Sequence, residues 1–72
     1  MTRVNIKDNQ TDLYIIFVDI TFEQACKYLG KLKRIGAYVG AEPFGKTTKL
    51  KFEKAAFYYD EERQMLLKYK IK

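Results

Sequence analysis

The feature that most constrains the fold is an eight-residue apolar segment, Leu13 to Ile20 (LYIIFVDI), in which Asp19 is the one charged residue. β-Branched and aromatic side chains dominate the segment, which is typical of a strand that is buried on both faces. Such a strand needs neighbours in a sheet and a layer packed on that sheet. Residues 3–7 alternate between polar and apolar side chains, and a polar turn at 8–12 follows them. The sequence therefore predicts an N-terminal β-hairpin.

A helix is predicted directly after the apolar segment. Thr21 and Gln24 fit a capping box, in which each side chain accepts a hydrogen bond from the backbone N–H of the other residue. Gly36 suits the left-handed position just beyond a helix end. These signals predict a helix over residues 22–35, with Cys26 buried among the apolar residues that recur at helical spacing: Phe22, Ala25, Leu29 and Leu32.

The C-terminal half predicts further strands. A short strand is expected at 37–39 and a loop at 40–48, because the latter segment holds two glycines and the one proline of the chain. Apolar residues then alternate with lysines, which predicts strands on both sides of a turn near 61–62, with a bulge near Lys54. One helix over residues 51–69 is the alternative, since Glu, Lys, Ala and Leu all favour helix.

These elements predict an α+β fold in a single domain that spans residues 1–72. The expected order is β-β-α-β-β, with the possible short extra strand at 37–39 placed after the helix. Strands joined by short turns pair antiparallel, so the sheet should be mostly antiparallel, with the helix packed on one face.

Composition excludes several classes of chemistry. The chain has no histidine and one cysteine, so an internal disulfide, the usual zinc sites and histidine-dependent catalysis are excluded. No apolar run reaches the ~18 residues of a membrane span. We find no acid–base pair and no metal-ligand spacing, and we expect a non-catalytic protein without metal or cofactor. The free cysteine fits a reducing cytoplasm.

A net charge of +5, with lysine far more common than arginine, predicts an acidic partner. Alternation predicts one sheet face with an apolar centre and a lysine-rich rim, the opposite face being covered by the helix. We expect that face to dock onto an acidic protein or nucleoprotein and to regulate or inhibit it. Its predicted residues are Lys7, Lys49, Lys51, Lys68 and Lys70 around Ile15 and Phe17, or around Ile16 and Val18.

Two further binding modes are alternatives to docking onto an acidic protein. Direct nucleic-acid binding would add the basic stripe of the helix, Lys27, Lys31 and Arg34, to the lysines of the sheet. A homodimer is also expected to be possible, since a sheet face or an edge strand can pair with a second copy.

Residues Gly40 to Thr47 (GAEPFGKT) match the pattern G-x-x-x-x-G-K-[ST], and this short segment resembles the phosphate-binding loop of P-loop NTPases. The resemblance implies that Gly40 and Gly45 shape the loop, that Lys46 and Thr47 hold phosphate and magnesium, and that Asp19 supplies the acidic partner. It covers eight residues and one strand. Glu42 and Pro43 depart from it, because Glu repels phosphate and Pro lacks an N–H donor. Nucleotide binding is therefore a minor alternative.

Overall fold

The computed structural model describes residues 1–35, 38–44 and 47–70. Six strands form one sheet in the order β1-β2-β6-β5-β4-β3, and every neighbouring pair is antiparallel. The α+β layout with one helix is thus confirmed. The elements are β1 Thr2–Lys7, β2 Tyr14–Val18, α1 Phe22–Ile35, β3 Tyr38–Phe44, β4 Thr47–Phe52, β5 Ala55–Asp60 and β6 Met65–Lys70.

The helix has the predicted bounds and the predicted cap. The backbone N–H of Thr21 donates to Gln24 Oε1 at 3.0 Å, and the backbone N–H of Gln24 donates to Thr21 Oγ1 at 3.2 Å. These bonds satisfy two N–H groups that would otherwise lack partners near the first turn. The predicted role of Gly36 lies outside the described residues.

The segment after the helix differs from the prediction. The expected short strand is a seven-residue edge strand, β3, and the expected loop at 40–48 is wrong because Gly40 to Phe44 belong to β3 and Thr47 begins β4. The two strands pair antiparallel, with Pro43 opposite Thr48. Proline is tolerated at this position because the outer side of an edge strand needs no N–H donor.

The connection from β4 to β5 also differs from the prediction. β4 ends at Phe52, and the two residues Glu53 and Lys54 turn the chain directly into β5, so the expected bulge is a hairpin turn. The alternative helix over 51–69 is wrong. The predicted turn near 61–62 is confirmed: it joins β5 to β6 and ends at Gln64, which has a positive φ of 53°.

The main core lies between α1 and the sheet. It contains Ala25 and Leu29 from the helix and a set of sheet residues, namely Ile16, Phe17, Phe52, Phe57, Tyr59 and Leu66. Ile20, fully buried just before α1, is held by two hydrogen bonds. Its carbonyl accepts from the Tyr59 hydroxyl at 2.8 Å, and its N–H donates to the carbonyl of Gln64 at 3.0 Å. These bonds fix where the helix begins over the sheet.

A second, smaller core lies on the other face of the sheet, which we call the second face. It contains Leu13, Ile15, Tyr58 and Leu67. Sheet registers shift at Ile16 on both sides of β2. Ile16 and Phe17 therefore both belong to the main core, whereas Val18 packs on the second face. Neither predicted set of alternating residues is correct, because strict alternation fails at this bulge.

A charged bridge joins the β1–β2 turn to the β5–β6 turn. Arg63 donates two hydrogen bonds to the Asp8 carboxylate, at 3.0 and 2.8 Å, and its Nε donates to Asp60 at 2.7 Å. The Thr11 hydroxyl donates to Asp8 Oδ2 at 2.6 Å. Only 6% of Asp8 is exposed, so this residue of the polar turn is buried by the bridge rather than solvated.

The Tyr59 hydroxyl gives a first prediction. Tyr59→Phe should lower the free energy of unfolding by about 1 kcal/mol, because the buried carbonyl of Ile20 loses its hydrogen-bond donor. Urea denaturation followed by circular dichroism measures the change. Tyr69→Phe is the matched control, since Tyr69 is 53% exposed on the second face, and it should change stability by much less. Equal effects of the two variants would contradict the prediction.

The Asp8–Arg63 pair gives a prediction for pH. Hydrogen bonds from Arg63 and Thr11 hold the pKa of the Asp8 carboxyl well below its usual range. The unfolded chain binds a proton at the ordinary value of about 3.9, so the pair stabilises the fold fully above that pH and progressively less below it. Asp8→Asn should cost about 2 kcal/mol at pH 7, less than for a fully buried pair, since the Arg63 side chain is 24% exposed.

The measurement compares urea denaturation of both proteins at pH 7 and at pH 2.5. The stability difference between the original chain and Asp8→Asn should shrink at the lower pH, because Asp8 is then protonated in the unfolded chain and folding must release that proton. A difference that stays constant with pH would show that the substitution acts through packing rather than through charge.

Candidate functional site

Helix α1 leaves one corner of its own sheet face uncovered. The helix starts beside Tyr59 and its last turn brings Lys33 to 4.6 Å from the ring of Tyr38 in edge strand β3. It thus crosses the sheet from β5 toward edge strand β3. The uncovered corner holds what we call the basic recess, a cavity of ≈ 250 Å³ lined by Asn5, Tyr14, Lys68 and Lys70, together with the adjacent Lys7.

Strand pairing places Tyr14 between two lysines. Tyr14 lies opposite Lys7 on β1 and opposite Lys68 on β6. Side chains opposite each other in antiparallel strands have Cβ atoms about 5 Å apart. An aromatic ring that is 42% exposed is thereby flanked by a cation on each side.

Most of the positive charge in the basic recess is not neutralised. Among the described residues, no carboxylate lies within ion-pair distance of Lys68 or Lys70; the Lys68 ammonium lies 6.0 Å from the Phe57 ring centroid. Lys7 Nζ lies 2.9 Å from Asp12, and this hydrogen bond raises the pKa of Lys7. Both side chains are largely exposed, so the pair is weak and a stronger anion can displace Asp12.

One basic residue of the helix lies on the flank of α1 that faces β2. Tyr28 packs edge-on against Phe17 of β2, with ring centroids 5.0 Å apart, so this flank of α1 faces β2. Lys31 is three residues after Tyr28 and shares that flank, whereas Lys27 and Arg34 lie toward the outer surface of the helix. The predicted stripe of Lys27, Lys31 and Arg34 is exposed, and of the three only Lys31 lies on the flank that faces β2.

The predicted rim of lysines does not lie on one face. Lys68 pairs with Phe57 of the main core, whereas Lys49 pairs with Tyr58 of the second core. Lys68, Lys70 and Lys7 therefore lie on the helix side, and Lys49 and Lys51 lie on the second face. The prediction failed because alternation in β6 puts the residues between the lysines under the helix, whereas Leu67 lies in the second core. Leu66 and Leu67 are both fully buried, one in each core, so the burial pattern of β6 does not show which face its lysines are on.

On the second face, Lys49 and Lys51 are paired. Lys49 Nζ lies 3.0 Å from Glu42 Oε1 and Lys51 Nζ lies 3.4 Å from Glu42 Oε2. Hydrogen bonds from these two ammonium groups hold the pKa of the Glu42 carboxyl below its usual range. One carboxylate thus offsets part of the positive charge that the sequence predicted here.

The apolar residues predicted beneath that rim are also separated. Ile15 is buried on the second face, as expected for the apolar centre, but Phe17 lies in the main core under Tyr28. The large apolar side chains that the second face exposes are Ile6 and Tyr69, at 54% and 53%.

The segment that resembles a phosphate-binding loop is part of an antiparallel hairpin. Gly40 pairs with Lys51 in β3 and β4, and no helix follows Thr47. In a phosphate-binding loop the backbone N–H groups turn toward the ligand before a helix begins. The loop that this alternative requires is therefore not formed by the described residues; Gly45 and Lys46 lie outside them. Asp19 is exposed in the connection between β2 and α1.

Other candidate groups remain separate from the basic recess. Cys26 is exposed, so its expected burial is wrong; it lines an apolar groove between α1 and β4 together with Phe22 and Leu50. Within the described residues, no three His, Cys, Asp or Glu side chains are grouped closely enough to hold a metal ion.

Two residues of the basic recess, Asn5 and Tyr14, were not predicted as site residues. The sequence predicted that the strand containing Tyr14 is buried on both faces. The exposure of Tyr14 depends on where α1 crosses the sheet. A signal was nevertheless present: residues 3, 5 and 7 of β1 are all polar, so the strand beside Tyr14 has one polar face.

Comparisons of the chain with protein families, with curated proteins and with solved structures found no match. Within the described part of the chain, no helix is both long enough and apolar enough to cross a membrane.

Proposed function

We propose that this chain is a non-catalytic binding protein that holds nucleic acid on its basic recess and on the adjoining flank of α1. The observation that carries the proposal is the position of Tyr14, an exposed aromatic ring between Lys7 and Lys68. Lysine attracts backbone phosphates without reading sequence, and an exposed aromatic ring can stack with a base.

The charge distribution supports nucleic acid as the partner. Lys68 and Lys70 have no carboxylate partner among the described residues, and Arg3 continues the basic character along β1, with its guanidinium 5.6 Å from the Phe17 ring. Lys31 adds charge from the helix. Lys7, Lys68 and Lys70 lie near Tyr14 on strands whose backbones are held by sheet pairing, so they form a positively charged surface on a rigid support.

Docking onto an acidic protein or nucleoprotein, with regulation of that partner, stays a prediction. It assumed that Lys49, Lys51, Lys68 and Lys70 form one rim. Since the two pairs lie on opposite faces and Glu42 pairs with Lys49 and Lys51, an acidic protein would meet the same basic recess that we assign to nucleic acid.

The proposal predicts a salt-dependent affinity. The double variant Lys68→Ala/Lys70→Ala should bind a labelled 20-nucleotide single-stranded oligonucleotide about tenfold more weakly at low salt, because two phosphate contacts are lost. The slope of log K against log salt should become shallower by roughly 1 to 1.5. Fluorescence anisotropy over a series of salt concentrations measures both quantities.

Lys49→Ala/Lys51→Ala is the matched control, since it removes the same formal charge from the second face. It should leave the affinity and the salt slope close to those of the original chain. Equal losses in the two double variants would indicate attraction by net charge alone. The absence of oligonucleotide binding at low salt would overturn the proposal and leave docking onto an acidic protein as the alternative.

A further inference from the structure

We propose that the basic recess is specific for single-stranded nucleic acid and holds one unpaired base stacked on the ring of Tyr14. This inference rests on the proposed function and adds the class of nucleic acid and the residue that selects it. It follows from three features of the recess: the support of the ring, the shape of the space above it, and the position of the cations.

The ring of Tyr14 is held on a rigid support. Tyr14 lies in β2, which pairs with β1 on one side and with β6 on the other. Its neighbour in the chain, Ile15, is buried in the second core and anchors the backbone from below. A ring that is already positioned loses little conformational freedom when a base stacks on it.

The space beside the ring is large enough for a group much bigger than a water molecule. The recess has a volume of ≈ 250 Å³, far more than the roughly 30 Å³ of one water molecule in the liquid. Asn5 lines one side, and its amide offers both hydrogen-bond donors and an acceptor. Asn5 can therefore form a hydrogen bond with a base edge that presents either a donor or an acceptor. This favours binding with little dependence on nucleotide sequence.

The cations are placed where the backbone of a stacked nucleotide would pass. Lys7 and Lys68 flank the ring. Lys70 is two residues after Lys68 in β6, so it lies on the same face of the sheet. A single strand can insert a base toward Tyr14 while its phosphates contact these lysines. A duplex presents the same phosphates but keeps its bases paired and stacked. Only the attraction between its phosphates and the lysines therefore favours its binding.

The sharpest test uses the absence of tryptophan from the chain. In Tyr14→Trp the introduced indole is the sole tryptophan, and stacking with a base should quench its emission when a 20-nucleotide oligo-dT is added. Tyr69→Trp places the same probe on the second face, where Tyr69 is 53% exposed, and its emission should stay nearly constant. A 20-base-pair duplex should leave the emission of both variants nearly unchanged.

Affinities supply the second measurement. Tyr14→Ala should weaken binding of oligo-dT at least fivefold with an unchanged salt slope, because stacking is not ionic, and should leave duplex binding within twofold. Tyr14→Phe keeps the ring and should bind like the original chain. Thermal unfolding of each variant checks that the fold is retained.

The outcomes separate this inference from the proposed function. If oligo-dT binds with a salt slope that depends on Lys68 and Lys70, but Tyr14→Trp is not quenched and Tyr14→Ala binds normally, the stacking inference is wrong and the proposed function stands. If neither oligo-dT nor duplex binds the original chain at low salt, both are wrong. Equal affinity for single strand and duplex would also overturn the inference.

Discussion

The contact on which the two ends of the fold depend is the bridge that Arg63 makes between Asp8 and Asp60. A guanidinium group with two carboxylates is planar and donates along fixed directions, so it sets both distance and orientation. Here it holds the β1–β2 turn against the β5–β6 turn, although the two turns are far apart in the sequence. The bridge thus adds to the other attachments of this hairpin, which are the pairing of β2 with β6 and the side chains that β2 contributes to both cores.

The turn held by the bridge also contacts the second core. The turn before Leu13 packs close to Tyr58, whose side chain hydrogen-bonds with Thr11 and whose pKa is raised by burial. Helix α1 packs on the other face, and it covers that face incompletely because it spans from β2 to the far edge strand β3. The basic recess is the part of the sheet that this crossing leaves open.

Local signals in the sequence predicted much of the fold. The capping box at Thr21 and the helical spacing after it predicted the bounds of α1, and alternation with a polar turn predicted the β1–β2 and β5–β6 hairpins. Residues 40–48 were misread because glycine and proline usually mark loops, whereas an edge strand accepts both. The lysines of β6 were assigned to the wrong face because Leu66 and Leu67 are buried in different cores. Which part of a sheet a helix covers is a property of the whole topology, and no short pattern encodes it.

The bulge at Ile16 has a consequence for how the chain tolerates insertions and deletions. Before it, β2 directs Tyr14 to the helix side and Ile15 to the second face; after it, Phe17 lies on the helix side and Val18 on the second face. Tyr14 and Phe17 are three residues apart, so strict alternation would put them on opposite faces, and the extra residue at the bulge lets them share one. As long as the bulge is kept, adding or removing one residue between them would move one of these two side chains to the other face.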